Sequence, residues 1–490
     1  MTSDNPERER QQPAPSPPLF ANAAVLGLGR AAIACLRLAR TIVLARLLGV
    51  EDYGIASLFV VALALADMVG DLAFERLIVQ DRDGDSPRFN AAIQSLTLVR
   101  GLAMAGLMLV LAEPFAAALG HPEIAWALQL FALVPLLRGL AHLDAMREQR
   151  RMRFGVSVTA ELSGIVLALA LAWPLVAVLG DWRVMPCLLA IEIGVRVVLS
   201  HALAERRYRL GWQGGVLARA LSFGWPLLLS GMIGVTILQG DRVIVGAYFG
   251  AFELGLFSAA LTLAMTPCLL AANIAHGLTL PLLSRAQERG RLAAPAALTL
   301  EGLQAVAALA LLGFVVLGPG LVQLLFGEAY AGAATLVALL GAAFALRLAR
   351  AGPTTAAMAL ANTRDLLYAN LLRLTALPLA VAVAASTASV EAVVAIGVAA
   401  EAGALTLSRL LLWRHWRTTP ALAAALGSSR AAFVLSLLGA GCVCAGALLE
   451  SGGLDIAAAA LLGLAAAVCR GFWRTLWREA SGRLRTARRL

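Results

Sequence analysis

The chain has 490 residues, of which 60% are hydrophobic and only 14% are charged, with a mean hydropathy of +0.81. Soluble domains carry about 25% charged residues, so this composition excludes an ordinary water-soluble fold. Forty basic residues, all of them arginine, against thirty acidic ones give a net charge of +10. The arginines lie between apolar runs and at the C-terminus, a pattern typical of cytoplasmic loops rather than of a nucleic-acid-binding surface, and no nucleic acid partner is expected.

The N-terminal segment and the cysteines add little chemistry. Residues 2–18 are polar and proline-rich, and the apolar run that follows is too long for a signal peptide. We expect residues 1–20 to remain as a disordered cytoplasmic N-terminus. The six cysteines all fall in apolar runs and have neither zinc-ligand spacing nor a pairing pattern, so neither a metal site nor a disulfide framework is predicted.

Apolar runs long enough to cross a bilayer recur along the whole chain. A hydrocarbon core of about 30 Å needs about 20 apolar residues per helix. Division at charge clusters, glycine and proline predicts an all-α polytopic membrane protein of about fourteen transmembrane helices. The predicted spans are 23–48, 54–78, 89–112, 123–143, 155–178, 185–203, 221–248, 255–281, 293–318, 331–351, 366–386, 390–412, 430–449 and 454–473.

The positions of the arginines predict the orientation of these spans. Arginine accumulates on the cytoplasmic side of membrane proteins. With the N-terminus inside, the cytoplasmic loops include the arginine-rich segments 147–153, 205–209, 285–291 and 414–417, and the C-terminal tail is also inside. The opposite loops are mainly acidic. We therefore expect a multi-pass membrane protein with both termini in the cytoplasm.

A short internal repeat divides the chain into two halves. Residues 49–57, Gly-Val-Glu-Asp-Tyr-Gly-Ile-Ala-Ser, recur 201 positions later as residues 250–258, Gly-Ala-Phe-Glu-Leu-Gly-Leu-Phe-Ser. Both copies follow a helix that runs outward, so they share one orientation and predict two six-helix lobes related by a pseudo-two-fold axis along the membrane normal. The predicted units are an N-lobe (21–210), a C-lobe (211–417), two peripheral C-terminal helices (418–473) and a basic cytoplasmic tail (474–490).

Three segments carry a family resemblance that covers nearly the whole chain. They are residues 44–54, residues 222–227 together with 241–246, and residues 280–284. These segments resemble the polysaccharide transporter branch of the multidrug/oligosaccharidyl-lipid/polysaccharide exporter superfamily, the Wzx-like flippases. Residues 325–330 are similar to the turn that follows helix 9 in such proteins. The resemblance implies a location in the bacterial plasma (inner) membrane, a V-shaped pair of lobes around a central cavity, and alternating access. It also implies an undecaprenyl-diphosphate-linked oligosaccharide as cargo for exopolysaccharide or O-antigen synthesis. Membrane lipids and a polysaccharide polymerase or glycosyltransferases are the implied partners.

Charged residues inside the first span are the leading candidates for substrate binding. Arg30 and Arg37 are seven residues apart, which places them about 20° from each other on an α-helix, and Arg40 lies within the same arc of about 80°. An ionisable group at bilayer depth is costly unless it faces a cavity, water or a partner. Arginine supplies permanently charged donors in the fork geometry that a diphosphate requires.

The second predicted helix carries three acids at helical spacing. Asp67, Asp71 and Glu75 follow one another at four-residue intervals, so they share one face. Asp67 lies at the depth of Arg37, and the lower two acids lie at the depth of Arg30. Two interpretations remain open: salt bridges that fasten helix 1 to helix 2, or a neutral cavity whose arginines are released when a lipid diphosphate enters.

The second half also has charged residues inside predicted spans, but fewer of them lie close together. Arg347 and Arg350 are one turn apart and either line the cavity of the second lobe or extend to the inner surface. Asp241 and Arg242, near the middle of the chain, are candidates for charge balance or ion coupling.

Further charged residues inside predicted spans are mostly isolated along the sequence. Arg196 follows Glu192 by four residues, the spacing of an ion pair within one helix. The other positions are Arg100, Arg138, Glu161, Glu301, Arg373, Glu401 and Arg409.

Known motifs of nucleotide, metal or covalent catalysis are not found at credible positions. The sequence has no Walker motif, nucleophile elbow, zinc spacing or Rossmann glycine pattern, so a cofactor-free transporter is predicted rather than an enzyme. One alternative is a cation-coupled drug or small-molecule antiporter of the same superfamily. Another is a membrane polymerase or ligase of lipid-linked glycans, which the short predicted outer loops disfavour. The identity of the glycan and the driving force stay open.

Overall fold

The computed structural model describes residues 19–487 except 388 and 450, with side chains described from residue 25 to residue 478. The segment expected to be disordered, residues 1–20, lies almost entirely outside this part. The described residues form α-helices and two short 3-10 turns, Pro122–Ile124 and Glu328–Tyr330, without a β-strand. In hydrocarbon a helix satisfies all of its own backbone hydrogen bonds, which is why apolar runs of this length fold in this way.

The first half of the chain contributes nine helices. Two predicted spans are divided: 54–78 by a break after Gly70, and 123–143 by a bend at Ala132. The nine helices are α1 (Leu19–Leu48), α2 (Val50–Gly70), α3 (Phe74–Gln80), α4 (Pro87–Ala118), α5 (Ala125–Phe131), α6 (Leu133–Leu140), α7 (Asp144–Arg150), α8 (Gly155–Leu179) and α9 (Val184–Ala202).

The second half contributes ten helices, of which the first is a run of 75 residues interrupted at Gly250. They are α10 (Gly214–Glu288), α11 (Ala293–Phe326), α12 (Ala333–Ala359), α13 (Arg364–Leu374), α14 (Ala376–Ser386), α15 (Val390–Trp416), α16 (Pro420–Ser428), α17 (Arg430–Leu449), α18 (Gly452–Val468) and α19 (Arg470–Ala487). The predicted last span, 454–473, crosses a bend of 57° between α18 and α19, and much of the predicted tail is helical.

Eleven helical segments in the described part are long and apolar enough to cross a membrane, or twelve if the bent pair α18 and α19 counts as one span. The expected total of fourteen is therefore not confirmed. Part of the difference is that α10 counts once although it holds two consecutive helices. Gly250 has a φ of +84°, outside the helical range, and separates residues 214–249 from residues 251–288.

Glycines with positive φ mark one end of the helix bundle. Gly49, Gly120, Gly180, Gly250 and Gly327 have φ values between 70° and 96°. They follow α1, α4, α8, the first part of α10, and α11, whose C-termini lie at the same end because successive spans alternate in direction. We call this the glycine-turn end.

The two copies of the repeat pack directly against each other at the glycine-turn end. A Cβ on Gly54 would lie 1.9 Å from the carbonyl oxygen of Ala251, and a Cβ on Gly255 would lie 2.1 Å from the carbonyl oxygen of Val50. Val50 and Ala251 are equivalent positions of the repeat, as are the two glycines. The contacts are therefore reciprocal, as a two-fold relation between the halves requires. Glycine is needed here because close approach of backbones drives helix association in lipid.

The halves also meet at the opposite end. Arg219, in the first turns of α10, lies 3.0 Å from Asp81 and 2.9 Å from Asp83, in the loop before α4. Burial alone would raise the pKa of Asp81, but hydrogen bonds from the Asp83 amide and from Arg219 hold it below its ordinary value. A Cβ on Gly224 would lie 2.2 Å from the carbonyl oxygen of Leu72, so the backbones are close at this end too.

Candidate functional site

A charged cavity of about 490 Å³ lies within the first half of the protein, bordered by α10. Its size falls in the roughly 300–1,000 Å³ range of small-molecule sites, but most such sites are lined mainly by apolar groups. Here five arginines and four carboxylates face the space. The arginines are Arg37, Arg76, Arg100, Arg138 and Arg196, and the acids are Asp67, Asp71, Glu75 and Glu161.

The three arginines of α1 have different environments. Arg37 has a half-exposed side chain that lies 2.8 Å from Glu161 of α8 and 3.2 Å from Glu192 of α9. Arg40 is buried and hydrogen-bonds the other oxygen of Glu192. Arg30 is exposed, does not line the cavity and forms no ion pair within the described residues.

The expected pairing of these arginines with the acids of α2 is wrong. The contacts of α1 with α8 are far more extensive than those with α2, so its cationic face meets the carboxylates of α8 and α9. Sequence spacing placed the charges at matching depths, but it carries no information on which helix lies beside α1.

The three acids expected on one helical face are divided by a break in the helix. α2 ends at Gly70, and the carboxylate of Asp71 accepts a hydrogen bond from the amide of Ala73 at 3.0 Å. This local turn competes with the helix, and Ala73 has a φ of +51°. Asp67, Asp71 and Glu75 nevertheless all line the same cavity.

Each of these acids has an arginine partner that the sequence did not identify. Asp67 binds Arg138 of α6, Asp71 lies 3.3 Å from Arg76, and Glu75 lies 3.2 Å from Arg100 of α4. Arg100 and Arg138 looked isolated in the sequence because they lie far along the chain from these acids, and Arg76 was not among the predicted site residues. Their positions inside apolar spans were the only available signal.

For Arg196, another residue of the cavity, the ion pair predicted from the sequence is wrong. The predicted ion pair between Arg196 and Glu192 does not form, because Glu192 is engaged by Arg37 and Arg40. Arg196 is exposed on the cavity wall and has no ion pair within the part of the chain that the structure describes. It therefore presents a guanidinium with free donors to the cavity.

A second charged cluster lies in the other half, around the buried carboxylate of Glu401 on α15. Arg347 reaches one Glu401 oxygen at 2.7 Å through Nε and 2.5 Å through Nη2, and Arg373 reaches the same oxygen at 2.7 Å. Arg350 lies 3.7 Å from the other oxygen. Buried charges persist only when paired, so Glu401 joins α12, α13 and α15 into one unit.

Asp241 lies beside this cluster. It shares a space of about 40 Å³ with Arg347, Arg373 and Glu401, and it has no ion pair within 4 Å among the described residues. Arg242 points elsewhere and is buried, with the Gln239 side-chain oxygen at 3.2 Å and the Thr262 hydroxyl at 3.3 Å.

The structure thus brings together only part of the predicted site. Arg37, Asp67, Asp71 and Glu75 line one cavity with Arg196. The remaining predicted residues lie outside it: Arg30, Arg40, Arg347, Arg350, Asp241 and Arg242.

The described helices define a multi-pass, all-helical membrane protein with a charged cavity inside its bundle. Three solved structures share the fold. Lipid II flippase MurJ in an inward closed conformation superposes with a TM-score of 0.67 at 14% identity, covering 92% of this chain and 99% of that one. An inward-facing multidrug resistance MATE family transporter of the MOP superfamily gives 0.59 at 15% identity, covering 79% and 96%. A MATE protein in a bent conformation gives 0.53 at 13% identity, covering 82% and 97%.

The sequence itself identifies the family. Residues 43–335, more than half of the chain, match the family described as polysaccharide biosynthesis protein, and the chain belongs to this family. The succinoglycan biosynthesis transport protein ExoT of Rhizobium meliloti (strain 1021) is 26% identical over 246 residues, which are 49% of this chain and 48% of that protein. The chain thus spans about half the length of this curated relative. These matches confirm the resemblance drawn from the sequence segments.

Proposed function

We propose that the protein is a flippase that moves an undecaprenyl-diphosphate-linked oligosaccharide from the cytoplasmic to the outer face of the bacterial plasma membrane by alternating access. The observation that carries this proposal is the cavity with five arginines inside the helix bundle, one of which, Arg196, has no carboxylate partner among the described side chains. The family belongs to polysaccharide biosynthesis, and the names of two similar proteins, a succinoglycan transport protein and a lipid II flippase, describe related cargo.

The chemistry of the cavity suits a diphosphate. Guanidinium groups bind phosphate oxygens through paired, charge-assisted hydrogen bonds. Arg196 offers such donors without displacing a partner, and Arg37 is half exposed, so an entering phosphate can compete with Glu161 for it. The four carboxylates keep the empty cavity close to neutral, which lowers the cost of holding five cations there.

The proposed orientation places the glycine-turn end at the outer face, because the arginine-rich loops lie at the other end. The seam of Gly54 and Gly255 would then close the outer face while the cavity receives its cargo from the cytoplasm. The contact of Arg219 with Asp81 and Asp83 at the opposite end is also formed in this structure, so it would have to open for cargo to enter from the cytoplasm. Outward release would require the seam to part while that contact keeps the cytoplasmic end closed.

A cation-coupled antiporter is the second candidate function, and one observation favours it. Asp241, in the second half, is a carboxylate that has no ion-pair partner within the part of the chain that the structure describes. Such a group could take up a proton or a cation during the cycle. In a flippase the same residue would couple the movement of the lipid to an ion gradient. The nature of the cargo therefore decides between the two functions.

The proposal is tested with the full-length protein in liposomes that contain a fluorescent undecaprenyl-diphosphate oligosaccharide. Wild-type protein should accelerate transfer between leaflets, measured by chemical quenching of the exposed label. The double variant Arg37→Ala/Arg196→Ala should be slower by about tenfold or more, because two charge-assisted contacts to the diphosphate are lost. Arg183→Ala is the matched control, since Arg183 pairs only with Asp181 in the loop between α8 and α9. Equal rates for the double variant and wild type would refute the assignment.

A further inference from the structure

An apolar groove of about 130 Å³ runs along the first half of the protein between α2, α4 and the start of α5. It is lined only by hydrocarbon side chains and by two methionines. Val69, Leu107 and Leu111 are 36%, 37% and 48% exposed, so the groove opens towards the surface of the helix bundle, where the lipid chains lie.

The groove and the charged cavity share a wall. Ala66 and Met104 line both spaces. The next residue after Ala66 is Asp67, which faces the cavity and binds Arg138, whereas Leu65 faces the groove. The environment therefore changes from ionic to purely apolar within one turn of α2.

Met104 contributes a flexible side chain to this wall. A Cβ on Gly70 would lie 3.0 Å from Met104 Cγ, so the methionine packs directly over a residue that has no side chain. Methionine is unbranched and changes rotamer easily, so a small movement of Met104 would join the two spaces.

We infer that the groove binds the polyisoprenyl chain of the substrate while the cavity binds its diphosphate, so that one amphiphile spans the shared wall at Ala66 and Met104. This inference rests on the proposed function. Its physical basis is that the two parts of such a molecule require opposite environments in adjacent spaces, and this is what the structure provides. A purely apolar lining offers no partner for a sugar or a phosphate, so the groove takes only hydrocarbon.

Affinity measurements test binding in the groove and binding in the cavity separately. Binding of inorganic diphosphate and of farnesyl diphosphate is measured on the full-length protein in one detergent. In wild type, farnesyl diphosphate should bind about tenfold or more tightly than inorganic diphosphate, because its chain makes many packing contacts in the groove in addition to the contacts of the diphosphate. Leu111→Trp, which fills the groove, should remove this gain and leave the affinity for inorganic diphosphate unchanged. Leu309→Trp, at a residue of α11 with similar exposure (42%), is the control and should behave as wild type.

The outcomes distinguish the inference from the function on which it rests. If inorganic diphosphate binds but the farnesyl chain adds nothing, or if the gain survives Leu111→Trp, the groove assignment is wrong while the cavity assignment stands. If neither compound binds, the proposed function fails.

Photocrosslinking provides an independent measurement that does not depend on filling the groove. A photoreactive benzoylphenylalanine at position 107 should crosslink to a labelled polyprenyl diphosphate, and the same group at position 309 should not. The crosslink should disappear in Arg37→Ala/Arg196→Ala, because the head then no longer fixes the chain. Equal labelling at both positions, or labelling only by bulk phospholipid, would overturn the inference.

Discussion

The hydroxyl oxygens of Ser57 and Ser258 lie 3.0 Å apart, although the two residues are 201 positions apart in the chain. They occupy equivalent positions of the internal repeat, one turn beyond Gly54 and Gly255. Both hydroxyls are buried and pair with each other across the interface, and Ser57 also donates to the Gly54 carbonyl oxygen. The repeat is therefore the surface by which the two halves contact each other, and its small residues set how closely they approach.

A larger side chain at the contact of Gly54 and Gly255 should prevent closure of the glycine-turn end. In Gly255→Val, the new side chain would clash with the backbone of Val50, because the Cβ alone would lie 2.1 Å from its carbonyl oxygen. A cysteine at position 258 in a cysteine-free background should then react faster with a membrane-impermeant thiol reagent. Gly313→Val is the control, since a Cβ at Gly313 has no neighbouring atom within 4 Å. An unchanged reaction rate in Gly255→Val would show that the seam does not control access.

Tyr330 makes a second contact across the same end. Its buried hydroxyl lies 3.0 Å from the carbonyl oxygen of Ala45 and 3.2 Å from that of Gly49, both in the first half. Tyr330→Phe should weaken closure by about 1 kcal/mol, the usual net value of one hydrogen bond. The reaction rate of the cysteine at position 258 should rise several-fold, less than in Gly255→Val. Tyr248→Phe should have no effect, because Tyr248 is exposed; a similar rise in both variants would contradict the assignment.

Glu401 should be essential for folding of the second half. Glu401→Gln would remove the carboxylate charge that Arg347, Arg350 and Arg373 share, and loss of one partner of a buried ion pair costs about 3–5 kcal/mol. We expect a large fall in the thermal unfolding midpoint in detergent. Adding Arg347→Met to this variant should restore part of the lost thermal stability.

The control for this change is Glu328→Gln, at an exposed position after α11. Equal midpoints for Glu401→Gln and Glu328→Gln would show that the cluster is not the stabilising element that its geometry indicates.

His142 should make stability depend on pH. It lies outside the membrane spans, its ring packs against His201 and Tyr208, and burial lowers its pKa below the ordinary 6.5, partly opposed by the charge of Asp144. As the pH falls below 6.5 the unfolded chain takes up the proton before the folded one does, so the free energy of unfolding decreases. This stabilising contribution is complete above pH 6.5 and is lost as the pH falls through the folded pKa.

Replacement of His142 should remove this dependence. We expect the thermal midpoint of His142→Gln to change less with pH below 6.5 than that of wild type. Asp144 does not interfere in this range: burial would raise its pKa, but hydrogen bonds from Arg147 and from the Glu205 amide hold it below its ordinary value. The same slope in the variant and in wild type would assign the pH dependence to other groups.

Much of the fold could be predicted because each apolar run is a local signal. The repeat at residues 49–57 and 250–258 was also visible in the sequence, and it predicted the relation of the halves that the contacts of Gly54 and Gly255 display. The break after Gly70 was missed because it depends on one side-chain contact of Asp71, within a stretch that reads as a continuous apolar helix.

The candidate site could be predicted only in part. Charges at bilayer depth identified Arg37, Asp67, Asp71 and Glu75, which do line one cavity. Their partners could not be predicted, because an ion pair between helices depends on which helices are neighbours and how each is rotated. Arg196 illustrates the limit: its spacing from Glu192 favoured a local pair, but the arginines of α1 bind that carboxylate instead.

Whether the cavity binds the diphosphate of a lipid is tested most directly by its preference for anionic head groups. Binding of undecaprenyl diphosphate, undecaprenyl phosphate and undecaprenol to the purified full-length protein should be compared in the same detergent. In wild type, affinity should fall in this order because the arginines contact the phosphates, and Arg37→Ala/Arg196→Ala should abolish most of the difference. Equal affinity for the diphosphate and the uncharged alcohol in wild type, or an unchanged preference in the double variant, would contradict it.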